Sequence, residues 1–453
     1  MALAWGRSSG CSLPFLLMKR LLLFCAFCGL SPGFVRAQST MDIIGVTALT
    51  ALDPTLTGSG VVATQVEAAP AVGQYEVDPG SPGQPVSLFT YWSAPGTSGA
   101  FPNTVGSESG HADQVAEAFY GENTGVSPGL QHVGNYEMTF FYSRVIQTLD
   151  PLTAIVFNQS FEFGSHNTIQ DQAYDDYIAQ WHTVVASGVG NGGAVLTPAD
   201  CYNGVGVGAY GGTSSVGPTA DGRCKPDITA PAGVTSFSTP LVSGAAALLI
   251  QGGRRMGVDA TAAIDSRTVK ALLLNGAVKP SGWTHSSTAP LDPNFGAGIL
   301  NVFNSYVELG EGRVGPVAMT FSGPTGHPAL ARGPVIATVK GWDFHSIRSG
   351  TGTQGVNHYR IATSGTGALI ATLVWNKGYQ KTGINRLALY AYDGSRHLLA
   401  SSASRVDNVQ HIYVTGLGAG TYELEVVKVA ESPGVAGFVS RREDYALAWD
   451  FER

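Results

Sequence analysis

The sequence of 453 residues has little charge, since 13% of its residues are charged and the formal net charge is −7 at pH 7. Proteins that bind nucleic acid or anionic lipid usually present clustered Lys and Arg. This composition therefore does not indicate a basic surface for binding either partner. Hydrophobic residues make up 44% of the chain, which is enough for a large core.

The N-terminus lacks an apolar run long enough for a permanent membrane anchor. Residues 21–30, LLLFCAFCGL, follow a Lys-Arg pair and supply only about half of the roughly 20 residues that a spanning helix needs. Small residues then precede a cleavage site after Ala37. This pattern predicts a secretory signal peptide at 1–37, with Met18 as an alternative start. We therefore expect a secreted or otherwise extracytoplasmic protein without a membrane anchor.

Cysteine is scarce, and only Cys201 and Cys224 remain after the predicted cleavage. An even pair in an oxidising compartment is typical of a disulfide, which we predict between these two residues. The alternative is two buried thiols.

The sequence changes character near residue 315. From residue 38 to 314, short apolar runs such as GVVATQVEA alternate with helical stretches, which predicts an α/β domain with a mostly parallel sheet flanked by helices. Residues 315–453 carry short alternating runs separated by turn residues. These runs predict an antiparallel β-sandwich, jelly-roll-like domain.

Four polar residues lie where an α/β sheet gathers its site, at strand ends and helix starts. Glu67 ends a predicted strand, His111 begins a helix, Asn191 follows a strand in a Gly-rich turn, and Ser236 precedes a long apolar helix. A serine nucleophile needs an imidazole base, the imidazole needs a carboxylate, and an amide donor must meet the oxyanion. The alternatives are an exposed Glu, a packed His, a turn Asn and a helix-capping Ser.

The motifs around these residues resemble those of the subtilisin-like serine peptidases, the subtilases. GVTSFSTP contains Ser236, HADQVA starts at His111, and GNGG contains Asn191. Further similar segments are GVSPG, VGVGA, KPDITAP and NFGAGILN, in the order that the family has them. The resemblance runs from about Gly58 to Tyr306.

The first acid departs from the family pattern. Subtilases have Gly-x-Gly-Val and then an Asp seven positions after the second Gly. Counting seven positions from Gly60 reaches Glu67, whose side chain is one methylene longer. The first Gly of the serine motif and the Gly of the histidine motif are also replaced.

The resemblance implies a secreted serine endopeptidase of polypeptides. It assigns the nucleophile to Ser236, the base to His111, the carboxylate to Glu67 and the oxyanion donor to Asn191. Ser160 lies where relatives pair with the substrate backbone, so the resemblance implies a substrate-binding role there.

Two other functions are compatible with the same residues. The replaced motif glycines favour a catalytically inactive subtilase fold with an extracellular binding role. The Glu in place of Asp suggests an acid-active relative of the serine-carboxyl peptidases, although those enzymes lack the His and Asn retained here. The sequence predicts a monomer with no cofactor and no nucleic-acid partner, and leaves a structural calcium ion open.

Overall fold

An eight-stranded sheet organises the first part of the chain in the computed structural model, which describes residues 38–323, 326, 333–336, 338–429 and 441–452. The signal peptide predicted at 1–37 lies outside these residues. The strands of this part are β1 (Val62–Glu67), β2 (Gln74–Glu76), β3 (Phe89–Ser93), β4 (Gly96–Ser98), β5 (Ser107–Glu108), β6 (His132–Glu137), β7 (Val156–Gln159), β8 (Val184–Gly188), β9 (Val205–Tyr210) and β10 (Ile228–Pro231).

The eight strands lie in the order β10-β9-β8-β7-β1-β6-β3-β4, while β2 pairs separately with β5. All neighbouring pairs in the large sheet are parallel except the hairpin of β3 and β4. β1 lies in the middle and is buried from its second residue to its last, as expected for a parallel strand covered on both faces.

Nine α-helices accompany the strands in the described residues. They are α1 (Thr40–Ile43), α2 (Val46–Leu52), α3 (Gly110–Tyr120), α4 (Met138–Phe141), α5 (Thr168–Trp181), α6 (Thr235–Gly253), α7 (Ala260–Ala263), α8 (Ser266–Asn275) and α9 (Val302–Gly310). In the ranges described, none of the helices is both long enough and apolar enough to cross a bilayer.

The long uncharged helix α6 lies in the core. Every residue of α6 except Ser236 and Phe237 is buried, and the helix packs against β7, β8, β9 and α3. Gly244 permits close approach to the loop after α3, because a Cβ there would lie 2.5 Å from Cβ of Val126. The absence of charge in this stretch therefore reflects burial on all sides.

Two antiparallel sheets form the last part of the chain. Their strands are β11 (Ala318–Ser322), β12 (Lys340–Arg348), β13 (Gln354–Thr363), β14 (Gly367–Trp375), β15 (Leu387–Asp393), β16 (Leu398–Ser402), β17 (Val409–Leu417), β18 (Gly420–Lys428) and β19 (Arg442–Glu452). The five-stranded sheet has the order β11-β13-β18-β15-β16, and the four-stranded sheet has the order β12-β19-β14-β17. The predicted fold class, a helix-flanked parallel sheet followed by an antiparallel sandwich, is confirmed.

The sandwich packs directly on the first part of the chain. Helix α8 lies against β14 and β19, and Trp342 of β12 donates its indole N–H to the backbone oxygen of Leu309 at 3.1 Å. The described residues from Ser39 onward form one compact unit. The domain boundary at 314/315 therefore stays a prediction from the sequence.

The predicted disulfide between Cys201 and Cys224 is wrong, because both cysteines are free thiols. Cys201 is buried in a cluster with Phe157 and Tyr174. Cys224 is half-buried and packs instead against the separate core that surrounds α6. The two side chains thus lie in different apolar environments, so the alternative of two thiols applies.

Candidate active site

Glu67 is the last residue of β1, and its side chain is fully buried. Its Oε2 lies 2.8 Å from Nδ1 of His111. Its Oε1 accepts a hydrogen bond from Nε2 of Gln65 at 2.8 Å. Burial excludes the alternative of an exposed carboxylate after a strand, and both oxygens of this carboxylate have partners.

Gln65 connects Glu67 to α3. Its Nε2 also donates to the backbone oxygen of Ala112 at 2.8 Å, and its Oε1 accepts from the hydroxyl of Tyr120 at 2.5 Å. Both Ala112 and Tyr120 belong to α3, the helix that begins beside His111. This network therefore fixes the carboxylate relative to the helix that carries the imidazole.

His111 is the second residue of α3, whose start is capped by Ser109. Its side chain is 38% exposed. The hydrogen bond with Glu67 raises the pKa of His111 above its ordinary value, burial opposes this shift, and the charge of Glu67 adds to it. Because Nδ1 faces the carboxylate, the basic nitrogen of a neutral ring is Nε2.

Ser236 is the second residue of α6 and is half-buried. The ring of the next residue, Phe237, lies 5.8 Å from the ring of His111 between centroids, at 34° between planes. The start of α6 and the start of α3 are therefore adjacent. Within the described residues, the Ser236 hydroxyl makes no hydrogen bond, to His111 or to any other group.

Asn191 lies in the Gly-rich loop after β8 and is exposed. Its Oδ1 accepts hydrogen bonds from the backbone N–H of Thr235 at 2.8 Å and from Oγ1 of Thr235 at 2.9 Å. Only the oxygen of an amide can accept from an N–H, so the contact fixes which way the side chain points. The amide is thus held against Thr235, the residue before Ser236, and within the described residues its N–H groups make no hydrogen bond.

Ser160 has a different environment from the one expected of a substrate-binding side chain. It is buried, and its hydroxyl donates to the backbone oxygen of Ser236 at 2.8 Å while accepting from Nδ2 of Asn158 at 3.1 Å. The hydroxyl is thus engaged within the protein. A substrate contact at Ser160 stays a prediction. Such a contact would use the backbone of Ser160, because its hydroxyl is already engaged.

One cavity of about 340 Å³ brings most of these residues together. It is lined by residues from five places in the chain, which are Ala68, Ala69, Pro70, His111, Ser160, Phe161, Glu162, Gly188, Gly190, Asn191, Thr235 and Ser236. Strands β1, β7 and β8 are parallel and end at this cavity, where an α/β sheet commonly places its site. Glu67 does not line the cavity. It contacts His111, which does.

Three residues of this site were not predicted from the sequence: Gln65, Thr235 and Glu162. Alternate residues of a strand share a face, so the position of Gln65 two residues before Glu67 was a usable signal. Thr235 directly precedes Ser236 within the segment GVTSFSTP. Glu162 lines the cavity from the loop after β7, and nothing local in the sequence distinguishes it.

Residues 102–298 match the family model described as the subtilase family. The matched segment contains His111, Asn191 and Ser236, and it begins after Glu67. This segment of the chain is therefore similar to the subtilase family of serine peptidases. No curated protein matches the chain.

Several solved structures are similar to this chain at low identity. Tripeptidyl peptidase 2 is 13% identical, with a TM-score of 0.38, and the match covers 76% of this chain and 40% of that one. The serine protease of Aeromonas sobria in complex with its chaperone is 15% identical, with a TM-score of 0.39 and coverage of 88% and 89%. A protease from Pseudoalteromonas arctica is 16% identical, with a TM-score of 0.40 and coverage of 59% and 94%. The chain thus spans less than half the length of tripeptidyl peptidase 2, and the similarity to the subtilase family rests on the family model over residues 102–298.

Proposed function

We propose that this protein is a secreted serine endopeptidase that hydrolyses peptide bonds through Ser236, His111 and Glu67. The observation that carries the proposal is the contact of 2.8 Å between Glu67 Oε2 and His111 Nδ1, at a cavity that Ser236 also lines. A buried carboxylate in this contact orients the imidazole and stabilises its protonated form.

In the proposed reaction, Oγ of Ser236 attacks the carbonyl carbon of the scissile peptide bond and passes its proton to Nε2 of His111. The tetrahedral intermediate then breaks the C–N bond, and His111 returns the proton to the leaving amine. An acyl-enzyme on Ser236 remains. Water, deprotonated by His111, hydrolyses the ester and restores the serine.

Asn191 is proposed as a donor to the oxyanion. Its Oδ1 is held by Thr235, which leaves its N–H groups for a ligand in the cavity. The start of α6 adds backbone N–H groups that have no partner within the helix, and the helix dipole there favours negative charge. Fixed donors of this kind stabilise charge as it develops in the transition state.

The proposal of secretion rests on the predicted signal peptide at 1–37. We propose that the protein is released and acts on polypeptides outside the cytoplasm. We propose a monomer, and the function requires no cofactor. Nothing in the proposed reaction depends on where the mature chain begins.

We expect a fluorophosphonate probe to label the folded mature protein at Ser236, because an activated serine oxygen displaces the fluoride. Mass spectrometry of the digested adduct gives the position of the label. Ser236→Ala serves as the control and should not react. If the folded wild-type protein stays unlabelled, the alternative of an inactive fold with a binding role is favoured. If Ser236→Ala is labelled equally, Ser236 is not the nucleophile.

The pH dependence of kcat/KM should show an acid limb above the ordinary His pKa of about 6.5. Only neutral His111 can accept the serine proton, and Glu67 raises the pKa of His111. Activity is therefore lost as the pH falls through this raised value. The position of the acid limb is measured from kcat/KM for hydrolysis of a peptide substrate across the pH range. Full activity well below this limb would instead support the acid-active, serine-carboxyl type of enzyme.

A further inference from the structure

A second cluster of ionisable side chains lies beside the cavity, on the loops that form two of its walls. His166 belongs to the loop of residues 160–167 between β7 and α5, Asp171 to the first turn of α5, and Asp200 to the loop of residues 189–204 between β8 and β9. One nitrogen or oxygen atom from each side chain lies within 4.8 Å of the others.

The two carboxylates are buried with few partners. Asp171 is 5% exposed and Asp200 is fully buried. Neither oxygen of Asp171 accepts a hydrogen bond, and Oδ1 of Asp200 accepts none. Within the described residues, His166 contacts both carboxylates, and no Lys or Arg forms an ion pair with either. Burial, and then the proximity of Asp200, raises the pKa of Asp171.

The other group of similar composition has a different environment. His358 lies against Glu423 at 2.9 Å and Glu425 at 3.6 Å, but Arg360 and Arg396 also contact these two carboxylates. Its charges are therefore compensated by the protein itself. The carboxylates of Asp171 and Asp200 have no comparable compensation, and buried carboxylates without it call for a proton or a cation.

We propose that His166, Asp171 and Asp200 bind a divalent first-row transition metal ion of the zinc class. An imidazole nitrogen with two carboxylate oxygens is a donor set that suits zinc, whereas calcium and magnesium prefer oxygen alone. His166 Nδ1 lies 3.7 Å from Asp171 Oδ2, close to the separation of about 3.4 Å between ligands of a tetrahedral zinc ion. The same nitrogen makes a direct hydrogen bond with Asp200 Oδ2, which a bound ion would replace.

The site is accessible from solvent and joins two loops. The His166 side chain is 29% exposed, which leaves an entry path and room for water at the remaining coordination positions. The same two loops are already connected by the backbone N–H of Phe163 and of Asn167, which donate to the backbone oxygen and to Oγ1 of Thr197, each at 2.9 Å. A bound ion would cross-link the loops that carry Ser160 and Asn191.

Titration of zinc chloride into the metal-stripped mature chain tests this site by calorimetry. We expect one zinc ion to bind per chain, with a rise in the melting temperature. Binding should weaken as the pH falls, because the metal displaces protons from its ligands. Calcium chloride in the same titration should not bind at this site.

The variants Asp171→Asn and His166→Gln separate metal binding from folding. Each should weaken zinc binding by at least about tenfold. Without zinc, Asp171→Asn should melt no lower than the wild type, because an amide of nearly the same shape carries no charge that burial would penalise. The His166 side chain is partly exposed, so the His166→Gln variant should also fold. His397→Gln is the matched control, since His397 is 79% exposed and pairs with Asp393, and zinc binding should be unchanged.

Three results would overturn the proposal. The first is a wild-type chain that takes up no zinc at stoichiometric concentrations. The second is binding that persists unchanged in Asp171→Asn and His166→Gln, which would place the ion elsewhere. The third is calcium binding as tight as zinc binding, which would remove the role of the imidazole nitrogen.

Discussion

Ser236→Ala is expected to lower kcat for peptide hydrolysis by on the order of 10⁵-fold, with a much smaller change in KM. The substitution removes the oxygen that forms the acyl-enzyme but leaves the cavity and the oxyanion donors in place. Residual hydrolysis above the uncatalysed rate should therefore remain. Kinetics on a peptide blocked at both termini measure the effect and, at the same time, separate an endopeptidase from an exopeptidase.

Ser238→Ala is the matched control for this loss. Ser238 lies two residues later in the same helix, and its hydroxyl donates to the backbone oxygen of Thr235 at 3.1 Å. It does not line the cavity. We expect kcat to stay within a few-fold of the wild type. An equal loss in both variants would assign the effect to the folding of α6, and an unchanged rate in Ser236→Ala would remove Ser236 from the reaction.

The fold was predictable from the sequence where one local pattern determines the environment. The uncharged stretch that became α6 has one compatible location in a protein of this size, which is the interior. Likewise, the apolar run that ends at Glu67 predicted a buried strand, and β1 is the central strand of the sheet. The order of Glu67, His111, Asn191 and Ser236 along the chain then predicted which strand ends and helix starts come together.

Features that depend on distant contacts were not predictable in the same way. The separation of Cys201 and Cys224 into two apolar clusters depends on how the chain passes the sheet, and no local pattern encodes it. The hydroxyl of Ser160 donates to Ser236, 76 positions later in the chain, so its engagement within the protein could not be inferred from its motif. His166 and Asp200 meet for a similar reason, because parallel strands bring their loops to the same edge of the sheet.

The site could be predicted as a set of residue types but not as a network. Glu67 was expected to reach an imidazole with a longer side chain, and the structure places its carboxylate 2.8 Å from Nδ1 of His111. The sequence did not predict that Gln65 donates a hydrogen bond to that carboxylate, or that the Tyr120 hydroxyl donates to Gln65. Such support decides how well a longer side chain can substitute for a shorter one, because it fixes the carboxylate position.

Glu67→Gln is expected to lower kcat/KM by about 10⁴-fold, because an amide cannot stabilise the imidazolium that forms when His111 takes the serine proton. The substitution also removes the charge that raises the pKa of His111, so the acid limb of the pH profile should move to lower pH. Both effects are measured with the same blocked peptide over a range of pH. A structural role alone would not shift the limb.

Glu67→Asp and Glu308→Gln complete the test. Aspartate keeps the charge but withdraws the carboxylate from His111 by about one bond, so we expect an intermediate loss of about 10²-fold and a limb between those of the wild type and Glu67→Gln. Glu308 is also buried, lies outside the cavity, and has a pKa raised by burial, so Glu308→Gln should leave kcat/KM unchanged. If Glu67→Gln retained full activity with an unmoved limb, the buried carboxylate would have no part in proton transfer. If Glu67→Asp were faster than the wild type, the carboxylate position set by Gln65 would not be the productive one.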